Sequence, residues 1–198
     1  METLLISPKE TQFIAKLLQK GQLVALPTDT VYGLGCIANN PQAINQLRIA
    51  KKRPDEKAFA YVVNSIEKIE AVCQLSPRDR KLIENNLPGP ITFIFNKKDN
   101  DLIVNESNIS TLAIRIPNHP LILEVLQYLP VGIYLPSANL STLPSTSSSK
   151  EVYQQLNSRI DAIVEGHSDN QIASTIIDAT SEELTILRQG PIKLSDIK

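Results

Sequence analysis

The sequence predicts an α/β protein with a twisted, mixed sheet flanked by helices. Helical and strand patterns alternate along its 198 residues, which is typical of a sheet covered by helices. Several apolar runs end at a proline that polar side chains follow, as in LVALPTDT, AIRIPNH and GIYLPSAN. Ligands of α/β proteins gather beyond the carboxyl ends of strands. If these three strand ends are neighbours, they predict a single polar pocket.

Helices are predicted where apolar spacing follows a capping residue. In the first helix, Ser7 is expected to cap, Pro8 to occupy the first turn and Glu10 to complete a capping box. Asn40 and Pro41 open the second helix, which must end before Pro54. The remaining predicted helices are SIEKIEAVC, SPRDRKLIENNL, HPLILEVLQYL and SKEVYQQLNSRI. The first two of these each open on a capping serine.

Strands are predicted for the apolar segments between these helices. QLVAL and AFAYVV show no polar alternation, which indicates burial on both faces of the sheet. The next predicted strands are ITFIF, TLAIRI, VGIYL and DAIVE, and STIIDA and LTILRQG are predicted to close the sheet as a pair.

Length and composition limit the possible functions. The chain is long enough for one domain over residues 1–198. Its formal net charge of −1 argues against broad, salt-driven binding to nucleic acid, DNA included. No apolar run is long enough to span a bilayer, and the N-terminus METLLISPKE lacks the pattern of a signal peptide. Cys36 and Cys73 fit no metal-ligand spacing and are interpreted as buried thiols of a cytoplasmic protein.

Cations concentrate in KKRPDEK, residues 51–57. Lys51, Arg53 and Lys57 lie between a predicted helix end and a predicted strand start. One interpretation is that they cap the helix C-terminus in solvent. The other is that Pro54 holds them on a rigid loop that binds phosphate.

Other candidate ligand groups follow further along the chain. Arg115 and Arg188 interrupt apolar strands, and each either faces solvent or points into a pocket to bind a carboxylate or phosphate. Ser137 and Asn139 in SAN offer a hydroxyl and an amide that bind without charge, although both residues are also common in turns. Ser174 is equally ambiguous, because serine also begins strands.

Several familiar chemistries have no motif here. The sequence contains no G-x-x-x-x-G-K-[ST] phosphate loop, no G-x-G-x-x-G and no G-x-S-x-G. His119 and His167 pair with no CxxC, so no zinc site is expected. Cations and hydroxyls without an obvious nucleophile favour catalysis by alignment and charge stabilisation.

The motifs PTDTVYGLG, KKRPDEK, LPGPITFIF, LAIRIPNHP, PSANLS, STIID and ILRQG occur in an order that resembles the YrdC/TsaC family of threonylcarbamoyl-AMP synthases. The resemblance extends from about residue 7 to residue 192. It implies a short, single-domain form with a concave, positively charged surface. It also implies a nucleotidyltransferase that makes L-threonylcarbamoyladenylate and pyrophosphate from L-threonine, bicarbonate and ATP. This product serves the modification of the tRNA adenosine next to the anticodon.

The resemblance also implies roles for individual residues. Its K-x-R and S-x-N elements correspond to the expected catalytic residues Lys51, Arg53, Ser137 and Asn139. The residues expected to bind L-threonine are Thr30, Arg115, Leu135 through its backbone, and Ser174. Those expected to bind ATP are Arg53, Lys57, Thr111, Ser137, Ser145 and Arg188. Mg²⁺ is expected to arrive with ATP without a dedicated protein ligand, and tRNA and the downstream threonylcarbamoyl-transferase proteins are the expected partners.

Two positions depart from the family pattern, and two other functions stay open. Ala58 replaces a usual proline, and Thr142 replaces a usual glycine, which predicts a stiffer loop over ATP and bears most on Ser145. One alternative function is a non-catalytic module that binds tRNA or ribosomal RNA. The other is a related carbamoyl transfer, as in hydrogenase-maturation proteins that contain a similar domain.

Overall fold

The computed structural model describes residues 2–54, 58–104 and 109–198. Its strands are β1 (Leu4–Ile6), β2 (Val24–Leu26), β3 (Gly33–Ile37), β4 (Tyr61–Val62), β5 (Ile91–Asn96), β6 (Thr111–Arg115), β7 (Ile133–Tyr134), β8 (Ala162–Val164), β9 (Thr175–Asp178) and β10 (Thr185–Arg188). Its helices are α1 (Thr11–Gln19), α2 (Pro41–Lys51), α3 (Ile66–Val72), α4 (Pro77–Asn86), α5 (Pro120–Gln127) and α6 (Ser149–Leu156), and a 3-10 turn follows at Leu194–Asp196.

The described strands form one ten-stranded sheet in the order β1-β8-β2-β3-β7-β4-β6-β5-β9-β10. Its strand pairs are mixed: β1, β8 and β2 run parallel, whereas β3 is antiparallel to both of its neighbours. β9 and β10 close one edge as an antiparallel pair, as predicted. The predicted α/β class with a mixed sheet is confirmed, and the assignment of residues 1–198 to one domain stays a prediction.

Alternate side chains of the strands enter two hydrophobic clusters on opposite faces of the sheet. Val24 and Leu26 of β2 pack with α1 and α5, whereas Ala25 between them packs with α2, α3, α4 and α6. Val62 of β4 belongs to the α1–α5 side. Because helices cover both faces, the central strands are apolar throughout, and their periodicity in the sequence is weak.

Most predicted helix caps are confirmed. Asn40 Oδ1 accepts from the N–H groups of Gln42 and Ala43 at the start of α2. Ser65 caps α3, and Ser76 caps α4 in a capping box with Asp79. Each of these cap residues is itself extended, so its side chain can turn back to the free N–H groups of the first turn.

The start predicted for α1 is wrong. The helix begins at Thr11 with Glu10 as its N-cap, which makes no side-chain capping bond. Residues 7–10 instead form a separate turn, in which the Ser7 N–H donates to Glu10 Oε2 and the Glu10 N–H donates to the Ser7 oxygen. The capping-box pattern is therefore present, but it closes this turn and not the helix.

Two strands, β1 and β3, were not predicted, and AFAYVV forms a strand only at Tyr61–Val62. β3 contains two glycines, which usually weaken a strand. At Gly33 a glycine is favoured because the Leu135 side chain packs directly against its backbone. A Cβ at position 33 would lie 2.5 Å from Leu135 Cγ. No helix in the described part of the chain is long and apolar enough to cross a membrane.

Candidate active site

A cavity of about 170 Å³ opens on the face of the sheet that carries Val62. The turn after β2, β4 with the segment before it, the ends of β6 and β7, and the start of β9 line it. The three predicted strand ends therefore meet, but not as carboxyl ends at one sheet edge, because β6 runs opposite to β2 and β7. β6 contributes through Ala113 and Arg115, whose side chains share the cavity face, while Leu112 and Ile114 enter the core.

The turn after β2 fixes the direction of its hydroxyl hydrogen bonds. Thr28 Oγ1 donates to the Val31 oxygen at 2.8 Å and accepts from the Thr30 N–H at 3.0 Å. A hydroxyl has only one proton, so the 3.0 Å contact between the two threonine hydroxyls is donated by Thr30. Toward the cavity, the Thr30 hydroxyl can therefore only accept.

Arg115 lies at the end of β6, and its side chain is 10% exposed. Its Nη2 pairs with Asp29 Oδ1 at 2.7 Å, and its Nη1 donates to Thr30 Oγ1 at 2.9 Å. Its Nε donates to the Gly89 oxygen at 3.1 Å. Burial lowers the pKa of Arg115, and the carboxylate of Asp29 opposes this shift. Arginine has five N–H donors, so one N–H remains on each terminal nitrogen, which suits a two-oxygen anion.

Ser174 lies between a threonine and an arginine at the start of β9. Its hydroxyl is 2.9 Å from Thr92 Oγ1 and accepts from Arg188 Nη2 at 3.1 Å. Arg188 also donates to the Ser174 backbone oxygen through Nε at 3.0 Å and Nη2 at 2.8 Å. The positive charge of Arg188 lowers the pKa of Arg115 further. The guanidinium groups of Arg115 and Arg188 therefore both contribute positive charge to the same cavity.

Lys51 does not line the cavity but supports the turn that does. The side chain is buried, and Nζ donates to the Ser137 oxygen, to the Asn139 oxygen at 2.7 Å and to Asn139 Oδ1 at 3.5 Å. Ser137 Oγ in turn donates to Asn139 Oδ1 at 2.5 Å. Burial, with a smaller contribution from the charge of Arg53, lowers the pKa of Lys51 to about 7.

Arg53 reaches the cavity from the loop after α2. Its Nη2 donates to the Ala58 oxygen at 2.8 Å, and its guanidinium carbon lies 5.0 Å from the centre of the Phe59 ring. Arg48 stacks on the same ring at 4.7 Å. Cation–π contacts of this kind orient a guanidinium without neutralising its charge.

The remaining predicted residues lie outside this cavity. Thr111 lines a small neighbouring cleft beside Phe59, and Ser145 lines a separate polar cavity of about 310 Å³ that shares Val31 with the first. Lys57 lies outside the described residues. The predicted residues that line the main cavity are Thr30, Arg53, Arg115, Leu135, Ser137, Ser174 and Arg188. Proximity does not test their individual roles, which stay predictions.

The cavity contains arginines and hydroxyls but no carboxylate among the described lining residues. Within the described ranges, no three His, Cys, Asp or Glu side chains lie close enough together to hold a metal ion. Mg²⁺ carried by ATP, whose phosphates supply oxygen ligands, stays a prediction.

Comparison with known proteins assigns the chain to a family. Residues 16–190 match the family model Sua5_yciO_yrdC, described as telomere recombination. The chain belongs to the Sua5/YciO/YrdC family. A Photobacterium profundum relative called threonylcarbamoyl-AMP synthase is 33% identical over 90% of this chain and 98% of its own length. A Bacillus subtilis relative of the same name is 34% identical over 93% of this chain, which spans 54% of that relative.

Solved structures of this family share the fold. The crystal structure of Pyrococcus abyssi Sua5 complexed with L-threonine has a TM-score of 0.90 and 29% identity, covering 99% of this chain and 59% of that one. The family member described here therefore spans little more than half of this relative and of the Bacillus one, but nearly all of the Photobacterium relative.

From the sequence, Asp29 could either contact the substrate or only cap the turn that presents Thr30, and no place in the site was assigned to Phe59 or Thr92. The sequence could have pointed to Thr92 and Asp29 as site residues, because Thr92 is a polar residue within a buried apolar strand and Asp29 lies in the turn that follows one. Phe59 carries no such signal, because an aromatic residue at a strand start is ordinarily core. Its contact with two arginines depends on the loop after α2.

Proposed function

We propose that this protein is a threonylcarbamoyl-AMP synthase, which forms L-threonylcarbamoyladenylate and pyrophosphate from L-threonine, bicarbonate and ATP. The observation that carries the proposal is the arrangement of Arg115 beside Thr30 in a small cavity. Relatives covering nine-tenths of the chain bear this name, and the structural relative complexed with L-threonine has the same fold.

The donors and acceptors of the cavity match those of an amino acid. The two remaining N–H groups of Arg115 suit the α-carboxylate. The Thr30 hydroxyl, which can only accept, suits a donor of the substrate, either its hydroxyl or its amine. Ser174 and the Leu135 backbone are proposed to complete the threonine site.

The reaction begins when the neutral threonine amine attacks carbon dioxide and releases a proton, or attacks bicarbonate with loss of water, and forms N-carboxy-threonine in either case. The new carboxylate attacks the α-phosphorus of ATP, its oxygen bonds to phosphorus, and the bond to pyrophosphate breaks. An anion thus approaches a polyanion. Arg53, Arg188 and Lys57 are proposed to reduce this repulsion, and Mg²⁺, when bound with ATP, neutralises phosphate charge. Ser137 would contact the nucleotide, and Lys51 and Asn139 would hold the Ser137 turn in place.

This mechanism requires no covalent protein intermediate. The described cavity contains hydroxyls that already bond to neighbours, and no histidine lines it to activate one. Acceleration would come from aligning the carboxylate with the α-phosphorus and from the fixed positive charges.

The test supplies the purified protein with labelled bicarbonate, L-threonine and ATP. We expect threonine-dependent pyrophosphate release together with a labelled adenylate. Arg53→Ala should abolish both products. Arg159→Ala, which removes an exposed arginine that is not among the described residues lining the cavity, should not. Pyrophosphate release that does not depend on threonine would contradict the proposal. Failure to bind L-threonine in calorimetry would contradict it as well.

Delivery of the product to tRNA, through downstream threonylcarbamoyl-transferase proteins in the cytoplasm, is part of the proposal. A gel shift with tRNA at physiological salt separates this enzyme from an RNA-binding module, because salt-driven binding without pyrophosphate release would favour the module.

A further inference from the structure

We propose that Asp29 is the positioning residue for the carboxylate clamp Arg115 and thereby sets the affinity for the amino-acid substrate. This inference rests on the proposed function, because it concerns the same site. Asp29 itself does not line the described cavity, so it acts through Arg115 and not by contact with substrate.

The first argument is the geometry of the pair. The Asp29 side chain is 8% exposed, and its Oδ1 lies 2.7 Å from Arg115 Nη2. A guanidinium on a flexible side chain can rotate around its bonds, and a second fixed contact limits that rotation. Thr30 and Gly89 each accept one further N–H, so three contacts hold the planar group in one orientation.

The second argument is charge. Within the described residues, Asp29 is the one carboxylate paired with Arg115, and Arg188 adds repulsion. A buried cation without a counter-ion is strongly unfavourable. In the absence of Asp29, Arg115 would be expected to leave its position for solvent, and the substrate carboxylate would lose its bidentate partner.

The third argument is the state of the other carboxylate oxygen. Asp29 Oδ2 is buried and has no hydrogen-bond partner among the described residues. Burying an unpartnered carboxylate oxygen is costly. The backbone nevertheless holds Asp29 in place, since its oxygen accepts from Asn170 Nδ2 at 2.8 Å. Among the described residues, Arg115 is therefore the one hydrogen-bond and ion-pair partner of the Asp29 side chain.

The experiment compares three variants by calorimetry with L-threonine and by steady-state kinetics. Asp29→Ala should raise the Kd and KM for L-threonine about tenfold or more, with the KM for ATP changed less than about threefold. Asp29→Asn keeps an oxygen acceptor of the same length for Arg115 Nη2 but removes the counter-charge, so its affinity for L-threonine should lie between those of Asp29→Ala and the wild type. Asp169→Ala removes an exposed carboxylate from the loop beside Thr28 and should match the wild type.

The outcomes separate the inference from the proposed function. A wild type that neither binds L-threonine nor releases pyrophosphate contradicts the proposed function. An active wild type with Asp29→Ala unchanged, or with tighter threonine binding, overturns only the role of Asp29. Equal losses for threonine and ATP would mean a general structural defect, which also overturns that role. A thermal unfolding curve shows whether Asp29→Ala is folded, and Asp29→Asn keeps the comparison possible if it is not.

Discussion

Lys51 Nζ lies 2.7 Å from the backbone oxygen of Asn139, across 88 residues of sequence. The contact joins the end of α2 to the Ser137–Asn139 turn after β7. Lys51 is fully buried in this position. Its Nζ therefore donates to backbone oxygens of the protein itself. Any effect of Lys51 on the nucleotide would be indirect, through the position of the Ser137–Asn139 turn.

The protonation of Lys51 should make stability depend on pH. Its pKa is about 7 in the folded protein and near 10.5 in the unfolded chain. Between these values the unfolded chain binds more protons, so the free energy of unfolding rises with pH. Relative to Lys51→Met, the wild type should gain up to about 1.4 kcal/mol per pH unit between pH 7 and pH 10.

Urea unfolding of both proteins at pH 7, 8 and 9 measures this difference. Other titrating groups, such as the buried Cys73 thiol, cancel in the comparison because both proteins contain them. A constant difference over this range would show that Lys51 stays protonated when the protein is folded.

Of the arginines that line the cavity, Arg115 and Arg188 should differ in the substrate that each one binds. Arg115→Ala should raise the KM for L-threonine about tenfold or more and that for ATP much less, because only the carboxylate loses its forked partner. Arg188→Ala should affect ATP more. Steady-state kinetics with each substrate varied in turn measures both values, with Arg159→Ala as the control. Equal losses for both substrates in Arg115→Ala would refute its assigned role.

Removal of the Thr28 hydroxyl should release the Thr30 hydroxyl proton, which Thr28 Oγ1 otherwise accepts, so that Thr30 can donate toward the cavity. Thr28→Val keeps the shape of the side chain but leaves the Thr30 N–H without its acceptor. We expect a loss of about 1–2 kcal/mol in stability and weaker L-threonine binding. Thr28→Ser keeps the hydroxyl and is the matched control. Calorimetry in which the two variants bind threonine alike would show that the direction of this bond is unimportant.

Gly190 should not tolerate a side chain. A Cβ there would lie 2.4 Å from both the Ala173 oxygen and the Thr175 nitrogen. Gly190→Ala must therefore separate β10 from the segment that holds Ser174, at a cost of about 2 kcal/mol or more and a fall in Tm of about 4–8 °C. Gly35→Ala, whose nearest contacts would be at 3.4 Å, is the control. Equal melting temperatures for the two variants would contradict this packing argument.

Local chemistry made much of the fold predictable. Asn40, Ser65 and Ser76 cap the helices that their sequence positions indicate. These contacts lie within a few residues, so the sequence contains all the groups involved. The Ser7 prediction failed because the same local pattern also closes an isolated turn. β3 was missed because its glycines are explained only by Leu135, which is distant in sequence.

The sequence by itself determined the alternation of helices and strands, most of the caps and, through its ordered motifs, the family. It also placed hydroxyls and cations at the ends of apolar strands. Only the tertiary structure decided which of these groups meet. β6 runs opposite to β2 and β7, so Arg115 reaches Thr30 and Asp29 from the face of the sheet, and Lys51 turns inward. Pairing between distant segments sets these contacts, because strand direction and register depend on the packing of the whole sheet.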